Sequence, residues 1–488
     1  MTDWQDRNVE NGNPINYQNT LSYATMLPHM PQDILSRLAE IVGQDYASNR
    51  TEDLYLYSRD PGAQKPRQTD CVVMPRTVDE IQRIVGMANE NKVPLTPMGG
   101  GLTLSALTVP VRGGIVLDMK RMDSIIEVNE ASRYAVIEAG VTQASLGAYL
   151  EKHHPHLQHS TPESPPTATI VGNILIHGHG HLTPRYGVNS QMVNGMEVVL
   201  PTGEVCKLGS GSISPKWFTR DPLPDLMGLF LGWLGTTGIV TKLSMQLFPK
   251  PRYRDLLLFV SDSSELIPEA IIELSEINLL ENCFIITQEK PRWAQRIYYI
   301  VVISGQSQAE FDAKRELHNQ AFQKYQDKLS PVNEEPALTP LRERFLGVPP
   351  FAATAADFRK GGGFEYTGAI LPIEVIPQAW HKGIEIAHKY DFFYQLGIQL
   401  LPNGHSVMLA FSYAFNRAIP DEAERARGAL EDTNRLTLEL GGVVWKPELP
   451  AQKLILERMD PNTRLLIDRI KKMLDPNGIM NPGNWEVS

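Results

Sequence analysis

The chain is 488 residues long, 42% hydrophobic and 21% charged, with a formal net charge of -10. Those proportions describe a globular protein with more than one core, and the acidic balance excludes a broad nucleic-acid surface, which needs a basic footprint. Cys71, Cys206 and Cys283 lie far apart with no disulfide or metal spacing, the pattern of a reducing compartment.

Residues 1–6 lack the basic and then apolar pattern of a signal peptide. The longest apolar stretch, around 226–234, falls short of the roughly 20 residues that span a bilayer. The expectation is a cytoplasmic protein with no membrane span.

In chain order, residues 31–42 predict a helix with Ile34, Leu35, Leu38 and Ile41 on one face. Residues 71–74 read as a buried strand. Thr77 caps the next helix with Glu80 in a capping box, and Ile81, Ile84, Val85 and Ala88 form its apolar stripe. A strand at 93–97 enters the run Pro97-Met98-Gly99-Gly100-Gly101-Leu102-Thr103. Strands follow at 115–119 and 134–138, then a helix at 142–151 with Leu146, Tyr149 and Leu150 inward, and a hairpin around Pro201-Thr202-Gly203-Glu204.

A second block begins near 252. It reads as strand 256–260, helix 266–277, strand 298–303 and a long polar helix 308–328. Residues 330–363 read as loop, from Pro331, Pro336, Pro340, Pro349, Pro350 and Gly361 to Gly363. Strand 367–371, helix 377–389 and strands 392–401 and 406–413 come next. A helix at 464–473, stopped by Asp475-Pro476-Asn477-Gly478, closes the chain. The fold class expected is α+β, with an antiparallel sheet in the second domain.

Three consecutive glycines after a strand let backbone approach a ligand and adopt positive φ, and successive N–H groups in such a turn bind anions. Taken alone, the run also fits a tight surface turn. It is neither a G-x-G-x-x-G nor a Walker sequence. Other segments stand with it in order: Met74-Pro75-Arg76-Thr77, Ile115-Val116-Leu117-Asp118-Met119, Ala139-Gly140-Val141-Thr142, Ile170-Val171-Gly172-Asn173, residues 196–204, Gly235-Thr236-Thr237-Gly238-Ile239-Val240-Thr241 and Pro249-Lys250-Pro251. In this register the chain resembles the FAD-binding domain of the vanillyl-alcohol oxidase/p-cresol methylhydroxylase flavoprotein superfamily.

The resemblance implies an FAD domain at 1–250 completed by 455–488, and an α+β cap, or substrate, domain at 251–454. It places the FAD pyrophosphate at Met98, Gly99, Gly100, Gly101, Leu102 and Thr103. Pro162, Ile170, Gly172, Asn173, Gly180 and Ile239 would contact the rest of the cofactor, with Asn481 of Asn481-Pro482-Gly483 in a final flavin-contacting turn. In the cap, Gly347-Val348-Pro349, residues 361–372 and Tyr413-Ala414-Phe415-Asn416-Arg417 match the vanillyl-alcohol oxidase branch.

The departures bear most on function. That branch's phenol oxidases clamp a phenolate with two tyrosines and an arginine. Here Leu104 falls at the first tyrosine, Trp445-Lys446 at the Tyr-Arg pair and Val188 at an acidic residue near flavin N5. The flavin-tethering position falls near Phe364, with Tyr366 close by, and the glycine loop has no histidine; non-covalent FAD is expected.

The implied reaction is hydride transfer to FAD from an activated, allylic or benzylic, C–H or alcohol of a rather apolar small molecule. His405, Lys446, Trp445 and Tyr394 are the catalytic candidates. Oxygen, a cytochrome or a quinone would take the electrons, and a homodimer or a related partner subunit is expected. Two alternatives are a D-2-hydroxy acid dehydrogenase and a non-catalytic flavin-fold subunit.

His177, His179 and His181 sit at i, i+2 and i+4, one face of a strand if a strand forms there. No fourth ligand stands beside them, so they are expected to line the cleft and no metal is expected. His153, His154, His156 and His159 are expected at the surface, and Lys324–Lys328 and Arg425–Arg427 on solvated helix faces.

Overall fold

The structure, a computed structural model, describes residues 32–289, 296–347 and 361–486. Val348, Pro349, Pro350 and residues 1–31 lie outside them. Two cores organise the described chain. The first gathers apolar side chains from Ile34 to Leu247 and takes in Ile479 and Met480. The second runs from Phe259 to Leu436.

Two larger sheets build the first region, beside a short pairing of Leu157–Gln158 with Phe248–Pro249. Cys71–Val73, Ile115–Asp118 and Leu95–Met98 pair in parallel, with Ala47–Ser48 antiparallel at the edge. The helix Val78–Asn91 joins the parallel strands. Its Thr77 cap accepts from Glu80 N at 3.2 Å, while Glu80 accepts from Arg76 N at 2.6 Å, so the reciprocal bond closes one residue earlier than the capping box predicts. The other sheet is antiparallel, in the order Ile125–Asn129, Tyr134–Glu138, Ile239–Gln246, Val193–Val199, Val205–Gly209. The C-terminal turn returns to the parallel sheet: Leu95 N donates to Ile479 O and Asn481 N to Leu95 O, each at 2.7 Å.

An eight-stranded antiparallel sheet dominates the second region. Its order is Ser330–Pro331, Tyr253–Ser261, Ile297–Gly305, Asn282–Gln288, Gln395–Leu400, Val407–Asn416, Gly362–Leu371, Val443–Trp445. One face is sealed by the helices Ile267–Ile277, Gln308–Gln323, Ile376–Lys389 and Pro420–Glu439. At one end of the other face sits a short cluster in which Leu338, Leu341 and Phe345 cover Leu256, Leu258, Phe284, Ile300 and Val302. The rest of that face turns toward the glycine run.

Several expectations fail here. Residues 335–346 form a helix, Glu335–Leu346, because Pro336 sits in its first turn, where a proline needs no N–H partner. Gly362 and Gly363 open a long strand paired with Asn416 and Phe415. Tyr149 is only partly buried, against His153. His159 is buried, its Nε2 3.0 Å from Gln143 Oε1. The histidine triplet forms no strand: His177, at φ 54°, leaves the helix Ile170–Leu175 through irregular chain.

Candidate active site

One large cavity lies between the two regions. Its first wall is backbone. Met98, Gly99, Gly100, Gly101, Leu102 and Thr103 line it, facing Pro162–Pro165, Ala168, Thr169, Val171, Gly172 and Asn173, and then Leu234, Gly235 and Gly238–Val240. The closeness of these segments explains the glycines. A Cβ on Gly99 would overlap Thr169 Oγ1, one on Gly100 would stand 3.1 Å from Thr167 O, and Gly101 has φ +66°. Asn173 Oδ1 is held by Asn189 Nδ2 at 2.7 Å.

The second wall is made of side chains on the open face of the large sheet, and strand register sorts them into rows. Gln288 pairs with Gln395, and Ser412 with Tyr366, in a polar row. Beside it run Ile286, Gly397, Ala410, Gly368 and Trp445, each paired to the next. Phe284, Gln399 and Met408 form the third row. The glycine–alanine–glycine middle makes a trough. Arg344 and Phe345 close one end, and Lys446, Leu104 and Phe364 stand at the other.

Lys446 is 8% exposed and has φ +55°. Its Nζ donates to Thr103 O at 3.0 Å and lies 4.2 Å from the Tyr366 ring centre and 4.8 Å from that of Trp445, contacts that attract a cation. Trp445 donates from Nε1 to Ile176 O at 2.6 Å and stacks on His179, with centroids 4.5 Å apart at 8°. Burial first, and then the Lys446 charge, lower His179 to about 3, so the imidazole is neutral.

Of the four catalytic candidates, Trp445 and Lys446 meet in the cavity. His405 does not: it is exposed on the turn joining Gln395–Leu400 to Val407–Asn416, beyond the trough. Tyr394 precedes the strand Gln395–Leu400 and packs beside His388 and Glu289; the side-chain alternation that turns Gln395 into the cavity turns Tyr394 out of it.

Three cofactor candidates also stand off the cavity lining. Ile170 is buried in the first core. Gly180 is pressed against Ser160 and Asn189, its carbonyl taken by Gln399 Nε2 at 3.1 Å. Asn481 stands one layer back, donating to Leu234 O at 2.7 Å and accepting from Thr96 Oγ1 at 3.3 Å. Each braces the wall instead of lining it.

Among the histidines of the described residues only His179 reaches the cavity. His177 bonds Ser190 Oγ at 2.8 Å, and His181 accepts from Thr161 N at 3.1 Å. Among the described residues no cluster of histidine, cysteine and carboxylate fit to hold a metal is found. Val188 lies outside the cavity lining. His179 was expected in the cleft with its two neighbours; Gln288, Gln395, Gln399, Ser412 and Arg344 were not among the expected site residues. Period-two spacing along the strands was the sequence signal for the three glutamines and Ser412, but it does not say which face is open; Arg344, on the helix Glu335–Leu346, gave none.

The donor set fits a nucleotide cofactor. The glycine backbone leaves room for a phosphate, and Thr103 Oγ1, Ser164 Oγ and His179 Nδ1 are buried without a partner among the described residues. Such groups are costly unless a ligand completes them.

Residues 69–209 match the FAD binding domain family, and residues 262–485 match the C-terminal domain of FAD linked oxidases. This chain is a PCMH-type FAD-binding flavoprotein. As a member of that superfamily it is an FAD-dependent oxidoreductase with a two-domain α+β fold.

It is similar to glycolate oxidase subunit GlcD of Bacillus subtilis (24% identity, 93% of this chain and 96% of that one). Comparable likeness extends to the D-lactate dehydrogenase of Archaeoglobus fulgidus (26%; 92% and 98%) and to the 4-cresol dehydrogenase [hydroxylating] flavoprotein subunit of Pseudomonas putida (24%; 92% and 94%). Among solved structures it shares its fold with substrate-bound p-cresol methylhydroxylase, at TM-score 0.84 and 22% identity over 93% of this chain and 96% of the other. No helix of the described residues is long and apolar enough to cross a membrane.

Proposed function

We propose that this PCMH-type flavoprotein oxidises an activated, allylic or benzylic, carbon of a largely apolar molecule that carries one oxygen. The observation that supports this reading is the trough of Gly397, Ala410 and Gly368, flanked by apolar and neutral side chains and ending on a single lysine. FAD, when bound, accepts the hydride.

The chain's residues do the rest. Gly99, Gly100, Gly101 and Thr103 hold the pyrophosphate, and Gly172, Asn173, Pro162 and Ile239 hold the flavin side. Phe284, Ile286 and Met408 exclude water and fix the substrate's apolar body. The Lys446 ammonium and the Tyr366 hydroxyl bind its oxygen, and stacking on Trp445 keeps the ammonium in place. His179, neutral and with Nδ1 unpartnered, accepts the hydrogen bond of a substrate hydroxyl, the position from which the proton leaves.

Leu104 removes one phenolate-binding group, so a para-hydroxybenzyl substrate is not favoured. The FAD is non-covalent, since Phe364 carries no nucleophile; flavin remaining in an acid-precipitated pellet would contradict that. The electrons pass to oxygen, a cytochrome or a quinone, and a second subunit is the natural place for a protein-bound acceptor.

A D-2-hydroxy acid is the second reading. It is favoured by Arg344 at the far end of the cavity from Lys446, because a carboxylate suits an arginine fork. Anaerobic bleaching of the flavin decides between them. Cinnamyl and benzyl alcohols should reduce it at least tenfold faster than D-lactate or glycolate; the reverse order overturns the proposal, and fast bleaching by 4-alkylphenols overturns the argument from Leu104.

A further inference from the structure

Leu104, Ser105 and Ala106 have φ values of 62°, 56° and 52°. Three successive non-glycine residues in the left-handed region are costly, and such strain persists only where surrounding contacts impose it. Here two buried carboxylates impose it. Ser105 N donates to Glu365 Oε2 at 2.8 Å, and Ala106 N donates to Asp60 Oδ2 at 2.9 Å. Each acid is tied on its other oxygen as well: Asp60 Oδ1 accepts from Gly62 N at 2.9 Å, and Glu365 Oε1 from Tyr366 N at 3.2 Å.

Gly62 separates the two acids. A Cβ there would overlap Glu365 Oε2 and stand 2.9 Å from Asp60 Oδ1. Neither carboxylate lines the cavity, but their neighbours do. Thr103 and Leu104 lead into the strained turn, Tyr366 follows Glu365, and Lys446 is bonded to Thr103 O.

We propose that Asp60 and Glu365 are a positioning pair: behind the cavity wall they hold the left-handed turn 104–106 and balance the charge of Lys446, so that its ammonium stays fixed beside the flavin. The proposal rests on the reading of Lys446 as a binding group at the reacting centre.

The electrostatics are consistent with the geometry. Two adjacent buried carboxylates cannot both ionise cheaply. Burial and then Asp60 push Glu365 up to about 8, against the opposing pull of Lys446. Asp60 is raised too, by burial, against Lys446 and Arg67. Glu448 faces Glu365 from beyond, and Arg417 Nη1 donates to the Asp60 carbonyl. Near neutral pH Glu365 therefore holds its proton. Above about pH 8 its ionisation adds a negative charge against the same turn.

The test uses holoenzyme and inorganic sulfite, an anion whose addition to bound flavin bleaches its absorbance and is favoured by a nearby cation. No substrate is needed. The sulfite Kd of the wild type is expected to rise at least tenfold more steeply between pH 7 and 9 than that of Glu365→Gln, which keeps the neutral shape and binds FAD normally. Lys446→Met should weaken sulfite at least tenfold at pH 7. Parallel pH profiles for wild type and Glu365→Gln would overturn the pairing. Glu365→Leu, which removes the acceptors for Ser105 N and Tyr366 N, should not be rescued by lowering the pH; where it fails to fold, the glutamine variant decides alone. If Glu365→Gln removes the pH step while the alcohol panel fails to reduce the flavin, the positioning pair stands and the substrate reading falls. If the panel succeeds and the step persists, the reverse holds.

Discussion

The two walls of the cavity are built on different principles. The glycine wall is backbone: its shape depends on what is missing from Gly99, Gly100 and Gly101, where an added Cβ overlaps Thr169 Oγ1, crowds Thr167 O at 3.1 Å or is strained by a positive φ. The sheet wall is side chains on a regular scaffold, where every second residue faces the cavity. A backbone wall fixes one ligand and tolerates little change. A side-chain wall can be recut residue by residue without moving the strands, which suits a superfamily that keeps its cofactor and varies its substrates.

Breaking the backbone wall should have the largest effect. In Gly99→Val the new Cβ overlaps Thr169 Oγ1, and both segments line the cavity. FAD affinity is expected to fall at least 100-fold, read as the ratio of flavin to protein absorbance after gel filtration. Retention of a full complement of flavin would show that the loop is not the pyrophosphate site.

The contrast also explains what was legible in the sequence. The glycine run, Gly172-Asn173 and Gly235–Gly238 could be read because a close backbone approach leaves glycine little alternative. Trp445 and Lys446, which line the cavity, were pointed to by register alone. His405 and Tyr394 stand off the cavity lining: a histidine in a turn and a tyrosine before a strand look like site residues until side-chain alternation is known. Tyr394 lies one residue from Gln395, and a one-residue difference along a strand reverses the face. Asp60 and Glu365 gave no local signal: they lie 305 positions apart and meet only because Gly62 and the turn 104–106 bring the two regions together.

Recutting the sheet wall should spare the cofactor. A Cβ on Gly397 meets only Ile286 Cγ2, at 3.7 Å, and valine suits a strand. Gly397→Val should therefore fold and bind FAD normally while its branches fill the trough. The rate of anaerobic flavin reduction by the best alcohol is expected to fall at least 30-fold, with substrate affinity carrying most of the loss. An unchanged rate would mean that the substrate does not lie across Gly397 and Ala410.

His179 belongs to both walls: its backbone lies in the first region and its ring stacks on Trp445 of the second. His179→Gln keeps a hydrogen-bonding atom but loses the stacked ring. Reduction by alcohols should slow about tenfold, the size of one lost hydrogen bond of about 1.4 kcal/mol, while FAD stays bound. A variant that loses FAD instead would assign His179 to the cofactor wall.

The smallest effect concerns stability and not turnover. Glu448 is buried just past Lys446, with its Oε1 accepting from Asn434 Nδ2 at 2.6 Å. Burial pushes its carboxyl up to about 7. A folded-state value above the ordinary carboxylate range means that the native state holds its proton more tightly than the unfolded chain does, so the stabilisation is complete below about pH 4 and is lost as pH rises through 7. His179 has the opposite sign: held neutral down to about 3, it contributes above its ordinary value and is lost only in acid. The two windows leave a maximum near pH 5 to 6 for this part of the molecule. Glu448→Gln keeps the oxygen that Asn434 needs and cannot ionise. Relative to wild type it should therefore gain about 1–3 kcal/mol between pH 5 and pH 9, read from denaturant midpoints at each pH, with FAD binding and alcohol oxidation at pH 6 unchanged. A variant whose stability tracks the wild type across that range would mean that water or a shifted Lys446 reaches Glu448, and that the sheet wall is more open at this corner than its burial implies.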